Sequence, residues 1–587
     1  MSETVPSAIK QDQLPLKQAV PSGWLLCIAL GISLALVVCI FWGGWGLGFF
    51  IAASLAEAGL LLFLLLPEKS AGTAAPGNRL PVGGETQSRA NISRLVWVSG
   101  LAIFLLSACY FIYDNLALRL LNAPVILILF SFQLLIIGRV SGLAWDNPWF
   151  WLEIALAWIV RPFVCLNHYG RGVSGLFNRS KSTAADKPAA KKLYGSILIG
   201  LLLALPVLLI LGALLSAADP VFGNLFRSVG RFLADFSLDD WIGKLIMTLL
   251  IMPFVFSYLF SGRSGFNMGL LSDGAVSRPG RSGFSFNRPI LITFLSCVNL
   301  LYLIFALVQV TYLTGAFRAE LPDGLTYAEY ARSGFFELSF VCLINLVLIL
   351  LAVRSGSRQG LSGKLIRIES LLLIAGSAVQ WFSAMFRMRL YIQTFGLTLL
   401  RFYVTAFMFL LAVLFLYLLI REFVPSLPLF KWMAATTLIA LLALNFVNAD
   451  AWIARHNVER YLNRPAGSQI TAANGETTGE SAADSRGNLI EPEAVDADYF
   501  QNLSMDAVPA LCVLLDSQDA GLTQEIAGQL LERYEQLNGS SRGGNVWQSL
   551  TISRLRAENL IGAQLDNLRR LNPKKAAEIA QSAVADP

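Results

Sequence analysis

Two acidic side chains stand where an acid or base could work. Glu337 lies roughly one turn inside an apolar segment that begins at Phe335, where a carboxylate needs a cationic partner or a proton. Asp450 follows another apolar segment, in the run Asn448-Ala449-Asp450-Ala451, with Arg455 and Asn457 close behind. Arg387, Arg389 and Arg401 flank the run Phe395-Gly396-Leu397-Thr398 and are suited to clamping an anion. Together these groups could serve general acid–base chemistry on an anionic or lipid-linked substrate. The static alternative is an ion pair of Glu337 with Arg401 or Arg387 that fixes helix packing.

Two further polar runs have structural explanations. In Thr326-Tyr327-Ala328-Glu329-Tyr330-Ala331-Arg332, Thr326 and Glu329 fit a capping box, and Leu325 with Tyr330 fits a hydrophobic staple. In Leu503-Ser504-Met505-Asp506-Ala507-Val508-Pro509, Ser504 or Asp506 can cap a helix that tolerates Pro509 in its first turn. Other chemistries lack their residues. The two histidines, His168 and His456, are far apart, and no CxxC pair or Walker A lysine is present. Gly170-x-Gly172-x-x-Gly175 matches a dinucleotide fingerprint by letter but has no strand before it. No catalytic residue, metal or organic cofactor is assigned.

The elements that carry these residues are membrane helices. The chain is 55% hydrophobic and 14% charged. A bilayer span needs about 20 apolar residues. Eleven segments qualify: Trp24–Trp42, Gly46–Leu66, Leu95–Tyr113, Ala123–Gly138, Leu193–Leu215, Trp241–Phe260, Pro289–Leu313, Phe335–Val353, Ile368–Phe386, Leu400–Ile420 and Phe430–Val447. Their apolar residues run continuously rather than alternating, so the fold class is all-α, a polytopic helix bundle and not a barrel. A twelfth apolar stretch, Trp145–Leu166, holds Asp146, Pro148, Glu153 and Arg161 and is rich in Trp. It reads as an interfacial or re-entrant helix.

Charge orients the bundle. With eleven spans, one alternate set of gaps carries 24 Lys and Arg, and the other carries seven. The positive-inside rule places the first set in the cytoplasm, so the N-terminus is inside and the C-terminus outside. The domains read as a cytoplasmic tail (1–22), an amino-terminal transmembrane region (23–192) with the interfacial helix 145–166, and a core transmembrane domain (193–447). An outer helix and flexible linker (448–497) and a helical extracytoplasmic domain (498–587) follow.

From Asn448 onward the chain holds 12 basic and 19 acidic side chains, which rules out a basic nucleic-acid-binding face there. Arg464–Asn488 is nearly devoid of apolar residues and reads as disordered. Beyond it, Asp498–Leu515, Leu522–Leu537, Val546–Asn559 and Leu560–Leu571 have helical apolar spacing, with Asn538-Gly539-Ser540-Ser541 as a break. A unit this small has a marginal core of its own, so it is expected to dock on the membrane domain. The lone tail cysteine, Cys512, has no partner for a disulfide.

The chain resembles an uncharacterised bacterial multi-pass membrane family known only as a domain of unknown function. The resemblance rests on Tyr327-Ala328-Glu329-Tyr330-Ala331-Arg332-x-Gly334-Phe335-Phe336-Glu337-Leu338 and on Phe395-Gly396-Leu397-Thr398-x-x-Arg401. It continues through Asn448-x-Asp450-Ala451-x-Ile453-Ala454-Arg455-x-Asn457 and through Asp498-Tyr499 with Leu503-Ser504-x-Asp506-Ala507-Val508-Pro509. It covers roughly Leu193 to Leu515 and implies the bacterial cell membrane without supplying an activity.

The leading expectation is a non-enzymatic cell-envelope binding, signalling or scaffold protein with a polar site on its outer face. That site comprises Glu329, Arg332, Glu337, Arg387, Arg389, Arg401, Asp450, Arg455, Asn457 and Asp506. Its partners would be the bilayer, its own docked tail and an envelope partner or anionic ligand, with no nucleic acid. A membrane-embedded enzyme is the alternative. A transporter is third, because Glu57 and Lys244 are the only clear charges within spans.

Overall fold

Long apolar runs leave the backbone no water to bond, so each run must close its hydrogen bonds within itself. The computed structural model describes residues 23–41, 45–65, 89–138, 140–141, 145, 148–178, 240–263, 288–317, 335–354, 360–463, 497–542 and 547–585. Among them every regular element is a helix. The membrane part comprises α1 (Gly23–Leu36, extended by a π turn Val37–Phe41), α2 (Leu47–Leu65), α3 (Arg89–Ile112), α4 (Leu116–Gly138), α5 (Pro148–Val164) and α6 (Leu166–Asn178). It continues with α7 (Asp240–Arg263), α8 (Arg288–Phe317), α9 (Phe335–Arg354), α10 (Gly360–Phe395), α11 (Leu399–Phe423) and α12 (Leu429–Phe446). The tail comprises α13 (Ala449–Leu462), α14 (Ala497–Gln501), α15 (Val508–Leu511), α16 (Ala520–Arg542), α17 (Ile552–Ala563), α18 (Leu565–Leu571) and α19 (Pro573–Ala585). Short 3-10 turns, Met505–Ala507 and Cys512–Asp516, flank α15.

Among the described residues eleven helices are long and apolar enough to cross a membrane, and the protein is a polytopic all-α membrane protein. Ten coincide with segments read from the sequence. The eleventh is Phe150–Ser174, a stretch that overlaps the helix expected to lie in the interface. Two of its charges are buried within the protein. Glu153 is buried and accepts a hydrogen bond from Ser141 Oγ at 2.6 Å, and Arg161 is fully buried. The expected span Leu193–Leu215, the expected linker Arg464–Asn488 and the capping box around Glu329 lie outside the described residues.

The chain divides into two compact units. One comprises Met1–Val37, Ala58–Arg79 and Leu156–Phe266. Here α1 packs along α6 and α7. Gly59 of α2 lets the backbone approach α1, since a Cβ there would lie 2.6 Å from Ile32 Cδ1. Arg161 reaches Ser261 Oγ on α7 at 3.3 Å. Ser257 donates to the Arg161 carbonyl and accepts from the Cys165 N–H, both at 2.9 Å, satisfying the backbone where α5 gives way to α6.

The other unit comprises Val38–Glu57, Leu80–Ala155 and Asn267–Pro587. In it α3 packs on α4 and α12, and α8 to α11 form a second group of packed spans. Apolar residues give these helices no preference over lipid, so buried polar contacts fix their register. Asn345 Nδ2 donates to Ser377 Oγ and Gln380 Oε1, both at 2.9 Å, and its Oδ1 accepts from Tyr302 at 2.6 Å. Glu369 accepts from Ser296 and Asn299, each at 2.6 Å, so α8 and α10 are tied by a carboxylate that the sequence reading did not single out. Glu57, one of the two charges it did single out, accepts from Gln133 at 2.7 Å.

Helices α4 and α16 differ from the sequence reading for identifiable reasons. Helix α4 starts at Leu116 rather than Ala123, because Arg119 interrupts the apolar run without interrupting the helix. Helix α16 runs through Asn538-Gly539-Ser540-Ser541 to Arg542. Glycine costs a helix only about 1 kcal/mol relative to alanine, too little to stop it once Leu530, Leu531 and Leu537 are buried.

Candidate functional site

Helix α3 turns into α4 over three residues, Tyr113-Asp114-Asn115. So short a turn leaves the first amides of α4 unpaired, and Asn115 Oδ1 accepts one of them, from Leu118, at 2.9 Å. Asp114 forms ion pairs with Arg119 at 3.0 Å and with Arg554 of α17 at 3.1 Å. On the opposite wall, Asn448 takes a left-handed conformation with φ 52° between α12 and α13. Asparagine tolerates that region better than most residues. Its Oδ1 accepts from the Ala451 N–H at 3.3 Å, so α13 begins at once and Asp450 falls in its first turn.

Asp450 is almost wholly buried. One oxygen accepts from Asn115 Nδ2 at 2.9 Å and from Ser504 Oγ at 2.5 Å, and the other has no hydrogen-bond partner among the described residues. Asp506, in the 3-10 turn capped by Ser504, is also buried. It accepts from the Asp114 N–H at 3.0 Å, from Asn448 Nδ2 at 3.1 Å and from the Ser553 hydroxyl. Ser553 Oγ also lies 2.9 Å from the carbonyl oxygen of Ile112. Two carboxylates from the tail side thus meet donors from α12–α13, the α3–α4 turn and α17.

A further cation beside this nest of carboxylates comes from the tail. Buried Arg533 of α16 donates to the carbonyls of Ser504 at 2.8 Å, Phe500 at 2.6 Å and Leu503 at 2.8 Å. Burial lowers its pKa, while Asp450 and Asp114 oppose that shift. Burial pushes Asp450 up to about 6. The neighbouring Asp506 charge adds to the rise, and hydrogen bonds from Ser504 and Asn115 and the Arg533 charge restrain it. Just inside the spans, Asn122 and Asn445 exchange amide hydrogen bonds at 2.6 and 3.0 Å.

A second set of contacts lies at the α10–α11 turn. Gly396 has φ 77°, a conformation that favours glycine, and a Cβ there would also crowd Arg460 Nη1 at 3.0 Å and Asn457 Oδ1 at 3.1 Å. Asn457 of α13 bonds both the N–H and the carbonyl of Leu397 at 2.9 Å, and Tyr499 accepts from the Leu399 N–H at 2.7 Å. Leu503, Val508 and Leu511 share one core with Leu397, Phe402 and Tyr403. A third contact joins backbone to backbone: Leu47 and Gly48, at the start of α2, donate to Leu550 and Gln548 at 3.0 and 2.9 Å.

The residues singled out from sequence separate into groups. Asp450 and Asp506 meet in the nest. Asn457 binds the α10–α11 turn, and exposed Arg455 lines an adjoining groove. Arg401 donates to the carbonyls of Phe395 at 3.1 Å and Gly396 at 2.6 Å and stacks on Tyr391 at 3.8 Å. It therefore caps the negative C-terminal end of α10 instead of pairing with Glu337. Glu337 is exposed at the start of α9, and among the described residues no ion pair joins it to Arg387 or Arg401. Arg387 and Arg389 belong to α10 itself, which runs on to Phe395, rather than to a connection. Glu329 and Arg332 lie outside the described residues. Sequence reasoning missed Asp114, Asn115, Arg533 and Ser553. The signal for the first two is an acidic–amide pair in a tight turn between two spans, followed by an arginine.

Neither a curated protein nor a solved structure matches the chain. A family model described as a domain of unknown function (DUF4153) matches residues 100–514. It starts well before Leu193, where the sequence resemblance began, and so takes in Asp114, Asn115 and Arg119 as well as Asp450, Ser504 and Asp506. With most of its length matched by that model, the chain belongs to the DUF4153 family.

Proposed function

We propose that this integral membrane protein is a non-enzymatic cell-envelope scaffold. In this reading it lies in the cytoplasmic membrane, with its N-terminus inside and its tail clamped on the outer face as a rigid binding platform. The carrying observation is that tail groups satisfy backbone and side-chain groups at three separate span connections, at Leu47–Gly48, Asp114–Asn115 and Leu397–Leu399. These connections all fall in the gaps that carry few Lys and Arg, which supports an outer position for the tail.

The enzyme alternative draws on Asp450, because a buried carboxyl with a raised pKa and an unbonded oxygen is a common acid–base signature. Against it, the adjoining groove is walled by Asp506 and Ser553 and not by Asp450, so a substrate there would not meet that carboxyl. Asp450→Asn separates the two readings, since asparagine can keep the contacts to Asn115 and Ser504. Cells expressing only that variant should show the envelope phenotype of the wild type, whereas an enzyme using Asp450 would be lost with its tail still docked. A reporter fused after Pro587 should be active only outside the cytoplasm, and cytoplasmic activity would reverse the orientation.

A further inference from the structure

Beside the nest runs a groove of about 380 Å³, walled by Val458 of α13, Pro509 and Val513 of the α15 segment and Ala557 of α17. Ile112 and Tyr113, where span α3 stops, also line it. Its size falls in the range of ligand sites. Its walls are largely apolar and open: Val513 is 49% exposed and Ile552, at the same groove, 45%. Such a surface is costly to leave in water.

Two observations near this groove support a position in the headgroup layer. Trp452 on α13 and Trp547, next to the residue that bonds Gly48, are 57% and 43% exposed, and indole rings favour the membrane–water boundary. Arg455 and Arg556, both exposed, line the groove, with Glu459 as the one exposed acidic side chain there. Asp506 also reaches the groove, but its oxygens are already held by Asn448, Ser553 and the Asp114 N–H. The groove therefore offers an apolar trough and guanidinium groups but few free polar groups to recognise a peptide backbone.

We infer that the groove holds one anionic phospholipid, an acyl chain along the apolar walls and the phosphate against Arg455 and Arg556. This rests on the reading of the tail as docked at the membrane boundary. It adds a ligand class that the docking alone does not require.

The test uses full-length protein in detergent and native mass spectrometry with phosphatidylglycerol and phosphatidylcholine of identical chains. Phosphatidylglycerol should bind on the order of tenfold more tightly, since each basic residue near a headgroup contributes measurably. Arg455→Gln with Arg556→Gln should abolish that preference, and Val513→Trp, filling the trough from an exposed position, should weaken both lipids. Equal binding of the two lipids by the wild type, or a preference that survives the double substitution, overturns the proposal. So does competition by glycerol phosphate alone, which would mean a headgroup site without a chain, or a concentration-dependent dimer that Val513→Trp disrupts. Amide protection at Asp114 and Leu399 reports docking separately, so lost lipid preference with intact protection counts against the lipid and not against the platform.

Discussion

Asp506 accepts a hydrogen bond at 3.0 Å from the backbone N–H of Asp114, a residue 392 positions earlier in the chain. A turn of three residues between two spans has few ways to satisfy its own amides, and a buried N–H left unpaired costs about 1–3 kcal/mol. The tail supplies what the turn lacks. The same relation recurs at Leu47, Gly48 and Leu399, amides at helix starts that have no intrahelical acceptor.

Asp450 makes stability depend on pH. Its pKa rises from 3.8 to about 6 on folding, so between those values the folded protein holds a proton that the unfolded chain has released. Stability from this group is greatest below about pH 4 and falls as pH rises towards 6, by on the order of 2–3 kcal/mol. Asp450→Asn should flatten the melting temperature between pH 4 and 6, followed by tryptophan fluorescence in detergent. An unchanged slope would assign the dependence to another group.

The Asn122–Asn445 pair predicts non-additivity. Asn445→Leu strands the Asn122 amide in a buried site and should destabilise by about 1–3 kcal/mol. Adding Asn122→Leu should recover most of that loss, because both partners are then apolar. Thermal unfolding of the two single variants and the double variant checks the cycle.

Arg533 gathers the carbonyls of Phe500, Leu503 and Ser504 into one turn and so shapes the loop that presents Asp506. Arg533→Met keeps the bulk but removes the charged donor from all three carbonyls; those of Phe500 and Ser504 keep the N–H of Leu503 and of Ala507, and that of Leu503 loses its charged partner. Hydrogen bonds to a charged group are worth about 1.5–3 kcal/mol each way, so the tail should loosen by at least that much. Limited proteolysis should then release the tail at protease concentrations that leave the wild type intact.

Most spans could be read from sequence because length and apolarity alone set them. Ser504 as a cap and Asn448 at a helix start were also legible, since capping is local. The role of Arg401 was not: its partners are carbonyl oxygens and the Tyr391 ring, and a carbonyl has no letter in the sequence. Glu337 does lie in the first turn of the candidate span Phe335–Val353, but its side chain is exposed there rather than packed against Arg387 or Arg401, a direction that its place in the sequence does not carry. Asp114 was hidden for a third reason. Its second cation, Arg554, comes from a helix 440 positions away, and such a pairing is set by tertiary packing rather than by spacing.

The most direct measurement of the clamp is amide hydrogen exchange on the full chain and on a chain ending at Asn463. In the full chain the amides of Leu47, Gly48, Asp114 and Leu399 should exchange slowly, each bonded to a group beyond residue 496. In the shortened chain these four should exchange fast. Leu397 should stay protected, because its partner Asn457 is retained. If the four amides exchange equally in both chains, the tail does not hold the span ends and the clamp is contradicted.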